Sequence, residues 1–211
     1  MHDDNLNYVL HEFIDPAYVE TEHSEYLLTE EQDSGHTELR LHIQGENLCI
    51  AQYDKKNRCG FWNRDQRNGL SKCVDHAILQ HTENDWILHM IEMKGRMDNR
   101  KWFDVRLKNR ASYLDMQALC TVLGIHIEAV YSYTTYAENH FCESENRTNP
   151  RMMAAPLGKR CIDPIREWSQ GKMHVTVGLN KELVISHRAI QMERRDGVLK
   201  GELVISGSSE V

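Results

Sequence analysis

Two carboxylates and a lysine near the middle of the chain are the residue types of a metal-dependent hydrolytic site. Asp75 lies in one apolar segment, and Glu92 and Lys94 end the next one. Carboxylate oxygens are hard ligands that suit Mg²⁺ or Mn²⁺, which keeps its remaining positions for water and phosphate. Such an ion lowers the pKa of a bound water, and a lysine can orient that water or stabilise charge on phosphoryl oxygens. The pattern therefore predicts hydrolysis of a phosphodiester.

The segments that carry these groups are predicted to be neighbouring strands. Residues 72–80 and 86–93 are both strand-like, and the short connection between them predicts an antiparallel hairpin. Asp75 near the start of the first strand then lies beside Glu92 near the end of the second. Because strand side chains alternate, Glu92 and Lys94 share a face. We expect the three groups to converge; the alternative is a solubility residue and a surface ion pair at a strand end.

The same residues carry a family resemblance. Asp75 followed by Glu92-Met93-Lys94 resembles the D…(D/E)-x-K signature of the PD-(D/E)XK nuclease superfamily. The resemblance covers roughly residues 10–136, the span that would hold the superfamily's restriction-endonuclease-like α-β-β-β-α-β core. It implies that Asp75, Glu92 and the main-chain carbonyl of Met93 bind Mg²⁺ (or Mn²⁺), and that Lys94 is the catalytic lysine that assists the attacking water.

Other parts of the family pattern are altered or left open. Val74 stands where the family usually has a proline. Some members carry a lysine or glutamine on the helix after the motif; Lys108 and Gln117 are the candidates here, and Lys108 is favoured as a catalytic residue because it lies in a basic segment. Many members also add an acid from the first helix. The candidates for that acid are Glu12, Glu20, Glu22, Glu25, Glu30 and Glu31.

A basic segment directly follows the motif. Residues 94–110 contain seven lysines and arginines against two aspartates, a charge of +5, although the whole chain carries −7. The overall acidity argues against a protein that coats nucleic acid through its net charge. A local basic helix beside a metal site could still hold a phosphate backbone, whereas an ordinary solvated helix face is the alternative. The residues predicted to contact nucleic acid are Arg96, Arg100, Lys101, Arg106 and Arg110.

The composition, 40% hydrophobic and 27% charged, is that of a globular protein. No window approaches 18 consecutive apolar residues and the first residues do not resemble a signal peptide, so we expect a cytoplasmic protein with no membrane partner. Six scattered cysteines without a C-x-x-C pair are expected to be free thiols. A zinc site of Cys59, Cys73 and His76 is the alternative. His76 and His89 fall on the strand faces away from the acids and are expected to pack.

The remaining periodicity predicts an α/β protein with a mixed sheet. A helix is predicted over 16–29, strands over 38–43 and 48–53, and a long helix over 99–123. A strand over 125–133 should then pair in parallel with the second strand of the hairpin, because a helical crossover connects them. The apolar stripe of the long helix is predicted to be Phe103, Leu107, Ala111, Leu114, Ala118 and Val122.

The C-terminal part lies beyond the minimal family core. Residues 138–171 contain prolines, glycine and asparagine that predict irregular structure. Strands are predicted over 173–177, 182–190 and 198–205. We therefore divide the chain into a nuclease-like core, residues 1–137, and a linker with a β-rich extension, residues 138–211, packed on the same domain.

These observations lead to one expected function and two alternatives. The expected function is that of a magnesium-dependent nuclease that cuts DNA in preference to RNA; a homodimer would fit, because cutting two strands requires two sites. One alternative is a nuclease-like module that binds a partner without catalysis, favoured by the net charge and the absent proline. The other is a phosphodiesterase for small nucleotides, since an acidic exterior suits a short ligand.

Overall fold

The computed structural model describes residues 4–21, 23–32, 35–56, 70, 72–83, 85–141, 162–179 and 181–207. These residues form an α/β structure with mixed sheets, as the sequence predicts. The α-helices are α1 (Asp4–Phe13), α2 (Asn99–Leu123) and α3 (Pro164–Gln170). The strands are β1 (Glu20–Thr21), β2 (Glu25–Gln32), β3 (Gly35–Ile43), β4 (Asn47–Ile50), β5 (His76–His81), β6 (Trp86–Glu92), β7 (Arg96–Met97), β8 (Ile127–Tyr136), β9 (Glu138–Asn139), β10 (Lys172–Gly178), β11 (Lys181–Gln191), β12 (Glu193–Arg195) and β13 (Val198–Ile205).

A seven-stranded central sheet has the order β1-β4-β5-β6-β8-β11-β10. Strands β4, β5 and β6 are antiparallel neighbours, and His76 pairs with Ile91 in the β5–β6 hairpin. Helix α2 then crosses over, so that β8 pairs in parallel with β6. The predicted hairpin and the predicted parallel pair are therefore confirmed. No α-helix within the described residues has the length and apolar composition needed to span a membrane.

The two faces of the central sheet are covered differently. Leu88 and Met90 of β6 pack in a core with Trp102 of α2, whereas Ile91 packs in a second core with Leu41 of β3. Helices thus cover one face, and a second sheet of order β12-β13-β3-β2 covers the other. Because side chains alternate along β6, Glu92 falls on the helical side with Leu88 and Met90.

The predicted helix over 16–29 is wrong. The chain forms α1 earlier, and half of the predicted span lies in β1 and β2. Tyr26 and Leu28 are buried while Leu27 is exposed, which is the alternation of a strand with one covered face. Pairing with β3 along its whole length satisfies the backbone of β2, so tertiary contacts decide its conformation.

Helix α2 has the predicted bounds, but of its predicted buried stripe only Ala111 is fully buried. Asp98 caps the first turn by accepting a hydrogen bond from the Lys101 amide, and Gly124 ends the helix at a φ of 72°. The face that packs on the sheet instead contains polar residues between apolar ones, and Val122 of the predicted stripe is 60% exposed. The buried residues of this helix are Asn99, Trp102, Val105, Asn109, Ala111, Ser112, Asp115, Met116, Cys120 and Leu123.

The C-terminal strands belong to both sheets. The three predicted strands are confirmed as β10, β11 and β13; β11 pairs with β8 in the central sheet, and β13 pairs with β3 in the second. The prediction of irregular structure over 138–171 is wrong at β9 and at α3, where Asp163 caps a helix that starts with proline. Residues 142–161 lie outside the described part of the chain.

Candidate functional site

The β5–β6 hairpin brings Asp75 and Glu92 to the same end of the central sheet. Asp75 immediately precedes β5 and Glu92 is the last residue of β6. Both carboxylates are buried: Asp75 is 3% exposed and Glu92 is inaccessible to solvent. The amide of Met93 donates a hydrogen bond of 2.6 Å to Asp75 Oδ2, which ties the start of one strand to the end of the other. Two buried acids thus share one location, as the motif predicts.

Two lysines meet these acids from different elements. Lys94 Nζ lies 2.5 Å from Glu92 Oε1 and 3.2 Å from the carbonyl of Met93. Lys108 extends from α2 and its Nζ lies 2.6 Å from Glu92 Oε1 and 3.3 Å from Asp75 Oδ1. All four side chains predicted to be catalytic are therefore neighbours. Gln117, the other candidate on this helix, is nine residues further along, roughly 13 Å by the helical rise.

Asp75 also belongs to a second group of acids. Carboxylate oxygens of Glu30, Asp54 and Asp75 lie within 4.8 Å of one another. Glu30 is one of the six acids proposed from the sequence, but it lies on β2 and not on a helix. Asp54 belongs to a short 3-10 helix after β4 and was not foreseen. Its only local signal is a polar sequence after a strand, which many loops share.

Burial and mutual repulsion make this group of carboxylates electrostatically costly. Burial and the nearby charge of Asp75 raise the pKa of Glu92 to about 7, and the same two causes raise the pKa of Glu30 and of Asp54. Burial lowers the pKa of Lys108, but the charges of Glu92 and Asp75 outweigh it and raise that pKa above its usual value. The two lysines therefore neutralise only part of the negative charge.

The donor set fits a hard divalent cation. Glu92 Oε2, Glu30 Oε2 and Asp54 Oδ1 are buried and have no hydrogen-bond partner within the described residues; Glu30 Oε2 lies 3.6 Å from Lys55 Nζ. A buried carboxylate oxygen without a partner is unfavourable. Oxygen-only donors are typical of sites for Mg²⁺ or Mn²⁺. The residues that could hold such an ion are Asp75 with Glu30 and Asp54, and Glu92 beside them.

Buried polar groups hold the main chain of the site. The hydroxyl of Thr135 on β8 accepts a hydrogen bond of 2.8 Å from the Lys94 amide and donates one of 3.0 Å to the Lys94 carbonyl. The amide of Val74 donates to Ser112 Oγ on α2 at 2.9 Å. The amide of Tyr53 donates to the carbonyl of Asp75 at 2.7 Å. The contact of Ser112 with Val74 explains one polar position on the buried face of α2.

The five arginines and lysines predicted to contact nucleic acid have different surroundings. Arg106 is only 12% exposed in its side chain, lies 3.0 Å from Glu167 on α3 and donates to the carbonyl of His174. These contacts hold its guanidinium inside the protein, and its contact with nucleic acid stays a prediction. Arg96 and Arg100 are exposed, whereas Lys101 and Arg110 are partly buried, and burial lowers the pKa of Arg110.

The histidines near the motif pack in the interior. His76 Nδ1 accepts a hydrogen bond of 3.0 Å from the Gln52 amide, and burial lowers the pKa of His76 to about 4. His89 contacts Gln80 and Tyr133. The metal-ligand group found among the described residues contains only carboxylates. Cys59, part of the zinc alternative, lies outside the described residues.

Comparison with known proteins returns no match to a family model, a curated protein or a solved structure. Function is therefore inferred from the chemistry of the site itself.

Proposed function

We propose that this protein is a divalent-metal-dependent phosphodiesterase of the PD-(D/E)XK type that hydrolyses nucleic acid, DNA in preference to RNA. The observation that supports it is the meeting of Asp75, Glu92, Lys94 and Lys108 at one end of the central sheet, with Lys94 Nζ and Lys108 Nζ 2.5 and 2.6 Å from the same oxygen of Glu92. Buried carboxylates without a full set of partners are typical of functional sites.

The order of the elements also supports this class. Helix α1, the antiparallel strands β4, β5 and β6, the crossover helix α2 and the parallel strand β8 follow one another in the order α-β-β-β-α-β. In that arrangement the aspartate starts the second core strand and the E-x-K sequence ends the third. The present chain adds β1, β2, β3, β7, β9 and the C-terminal strands to this set, so its restriction-endonuclease-like character is proposed for the core alone.

Each side chain has a role that its contacts suggest. A divalent ion held by these carboxylates would lower the pKa of a bound water and neutralise charge on the phosphate. Glu92 and the Met93 carbonyl hold the ammonium of Lys94, which can donate a hydrogen bond to a water or a phosphoryl oxygen. Lys108 holds the carboxylates of Asp75 and Glu92 close together and stabilises negative charge that develops beside them. Thr135 fixes the main chain of Lys94.

Cleavage assays with matched variants test the proposal. Wild-type protein, Lys94→Met and Lys172→Met should be compared on plasmid and single-stranded DNA with Mg²⁺, Mn²⁺ or EDTA. Lys172 is exposed on β10 and serves as the control. We expect metal-dependent cleavage that Lys94→Met lowers by about 100-fold or more, in the range for one lost donor at a developing charge, while Lys172→Met leaves it unchanged. Equal cleavage by wild type and Lys94→Met would exclude Lys94 from the reaction.

Metal binding can be tested separately from turnover. Calorimetric titration with Mn²⁺ should show weaker binding to Asp75→Asn, to Glu92→Gln and to Asp54→Asn than to wild type. Asp196→Asn, at the exposed turn before β13, is the matched control for loss of one carboxylate. Unchanged affinity in Asp75→Asn would mean that the cation binds elsewhere, and would overturn the ligand assignment whatever the cleavage assays show.

A phosphodiesterase for small nucleotides is the second candidate. Three cations of the basic segment, Lys94, Arg106 and Lys108, are occupied by acidic partners inside the protein, which shortens the surface available to a long backbone. Cleavage of dinucleotides and of 20-nucleotide strands should be compared at several salt concentrations. A nucleic-acid substrate predicts faster cleavage of the longer strand and a steep salt dependence; equal rates favour the small-nucleotide enzyme. No cleavage with any metal, despite metal binding, would favour a non-catalytic module.

A further inference from the structure

A cleft opens on the face of the central sheet opposite to the carboxylates. It has a volume of about 300 Å³ and lies where β5, β6, β8 and β11 extend past the end of β13. His89 of β6 lines this cleft, and because it precedes Glu92 by three residues it faces away from the catalytic carboxylates. The other lining residues used below are Gln80, Tyr131, Tyr133, Ser186 and Arg188.

A chain of hydrogen bonds fixes the polarity of the cleft. Gln80 Nε2 donates to the carbonyls of Gln44 and Ser206 at 2.7 and 3.2 Å, so Gln80 Oε1 is the end that faces His89. His89 Nε2 must then be the protonated nitrogen, since it lies 3.1 Å from an oxygen that can only accept. Its Nδ1 is consequently an acceptor, and the Tyr133 hydroxyl, 3.1 Å away, donates to it.

This arrangement leaves a defined acceptor for a ligand. The hydrogen of the Tyr133 hydroxyl is used by His89, so the remaining capacity of that oxygen is to accept a hydrogen bond. Burial raises the pKa of Tyr133 and also keeps His89 neutral, with a pKa lowered to about 3. The polarity of the chain is therefore retained over the whole neutral pH range. A ligand with an N–H group matches it.

The same cleft offers an aromatic surface and a cation. The ring of Tyr131 stacks on His89 with 5.7 Å between centroids and 15° between planes, and Tyr131 itself is partly exposed. Arg188 is exposed at the edge and lies close enough for its charge to act on Tyr133. No ion pair of Arg188 is present among the residues that the structure describes. Ser186, two residues earlier on the same face of β11, adds a hydroxyl.

We propose that this cleft is a second binding site, for a nucleoside monophosphate. The base would stack against Tyr131 and give an N–H to Tyr133, and the phosphate would pair with Arg188. Aromatic rings accept every base through its π face, and guanidinium groups bind phosphate in a bidentate manner. The volume is at the lower end of the range for ligand pockets, which suits one nucleotide and not a longer strand. This inference is independent of the proposed hydrolysis.

Binding should be measured by calorimetry with AMP, adenosine, ribose 5-phosphate and inorganic phosphate, in EDTA so that the carboxylate site holds no metal. We expect saturable binding of AMP at one site, and binding about tenfold weaker or more for each fragment, because each lacks one of the two contacts. The absence of saturable AMP binding would overturn the proposal. Binding of phosphate as tight as that of AMP would also overturn it, because it would leave the base without a role.

Three variants separate the contacts. Arg188→Gln should weaken AMP about tenfold and leave adenosine unchanged, whereas Tyr131→Leu should weaken both by the same factor. Arg166→Gln, an exposed arginine on α3 outside the cleft, is the control and should bind AMP as wild type does. Glu92→Gln should also bind normally. Unchanged AMP affinity in Arg188→Gln, or a loss confined to Glu92→Gln, would refute the assignment; the latter would place AMP at the carboxylate site.

Discussion

Replacing Lys108 with methionine separates the structural role of this lysine from its electrostatic one. The side chain is 16% exposed, and its ammonium contacts Glu92 at 2.6 Å and Asp75 at 3.3 Å. Removing one partner of a buried ion pair costs about 3–5 kcal/mol. Lys94 stays 2.5 Å from Glu92 and neutralises part of the charge, so we expect the free energy of unfolding in EDTA to fall by about 2 kcal/mol.

The same substitution should strengthen the binding of a divalent cation. A divalent cation and an ammonium about 4 Å apart repel each other by about 8 kcal/mol at an effective dielectric constant of 20, which is twice the value for two unit charges. Solvent at the partly exposed end of the site reduces this value, and we expect Mn²⁺ to bind Lys108→Met about tenfold more tightly than wild type. Cleavage should nevertheless fall by about 100-fold, because the charge beside the reacting phosphate is lost.

Urea unfolding in EDTA, calorimetric Mn²⁺ titration and a cleavage assay measure these three effects. Lys172→Met is the control for loss of a lysine, and Lys108→Arg keeps the charge and should not bind Mn²⁺ more tightly. Weaker or unchanged Mn²⁺ binding in Lys108→Met would refute the reasoning, since it would show that the cation does not interact with Asp75 and Glu92. An unchanged unfolding free energy would refute the buried ion pair.

Further predictions concern residues around the site. Thr135→Val removes the hydroxyl that holds the main chain of Lys94 through two hydrogen bonds, and it should lower kcat about tenfold with little change in KM. Thr135→Ser should restore kcat, and failure of Ser to do so would contradict the hydroxyl's role. Arg106→Met should reduce the free energy of unfolding by about 3 kcal/mol because Glu167 stays buried; denaturant titration measures this, and a change below about 0.5 kcal/mol would mark the pair as a surface contact. Lowering the pH from 7.5 to 5.5 should reduce the free energy of unfolding of the wild type, and in His187→Gln this reduction should be smaller by about 1.3 kcal/mol. Urea unfolding at both pH values measures the two reductions. Equal reductions would contradict the buried neutral histidine.

The sign of the His187 effect follows from its native pKa. Burial lowers that pKa from 6.5 to about 3, so the native state stays neutral while the unfolded chain takes up a proton below pH 6.5. The stability contribution is thus complete above about pH 6.5 and is lost progressively as the pH falls toward 3. The contacts of the ring with Thr134, Trp102 and Trp168 explain why it is held away from water.

The parts of the fold that local chemistry determines could be predicted from the sequence. The periodicity predicts the bounds of α2, residues 99–123, and in the structure Asp98 and Gly124 cap these ends, because capping depends on a few adjacent residues. The hairpin follows from two apolar segments and a short connection, and its register then places Asp75 beside Glu92. Lys108 could be proposed because it lies on the next helix within a basic segment, although only the packing of α2 shows which acids it contacts.

The failures share a different cause. The residues of β2 have no strong local preference, and pairing with β3 decides their conformation. The buried face of α2 differs from the predicted stripe because several of its residues, such as Ser112 and Asp115, are polar although they are buried. The position of Asp54 beside the other acids and the pairing of Arg106 with its acidic partner depend on elements distant in sequence. The periodicity of a single sequence does not predict such contacts.

The parallel pairing of β13 with β3 has a consequence for how the molecule assembles. Leu199 pairs with Thr37 and Ile205 with Ile43, across a sequence separation of more than 150 residues. During synthesis, the apolar inner face of β2 and β3 is made early but lacks one flanking strand until translation passes residue 205. Contacts of such long range slow folding and leave strand edges open to wrong pairing. We expect ribosome-bound chains arrested before β13 to bind chaperones and to be cleaved by proteases. Chains arrested after β13 has emerged should resist proteases.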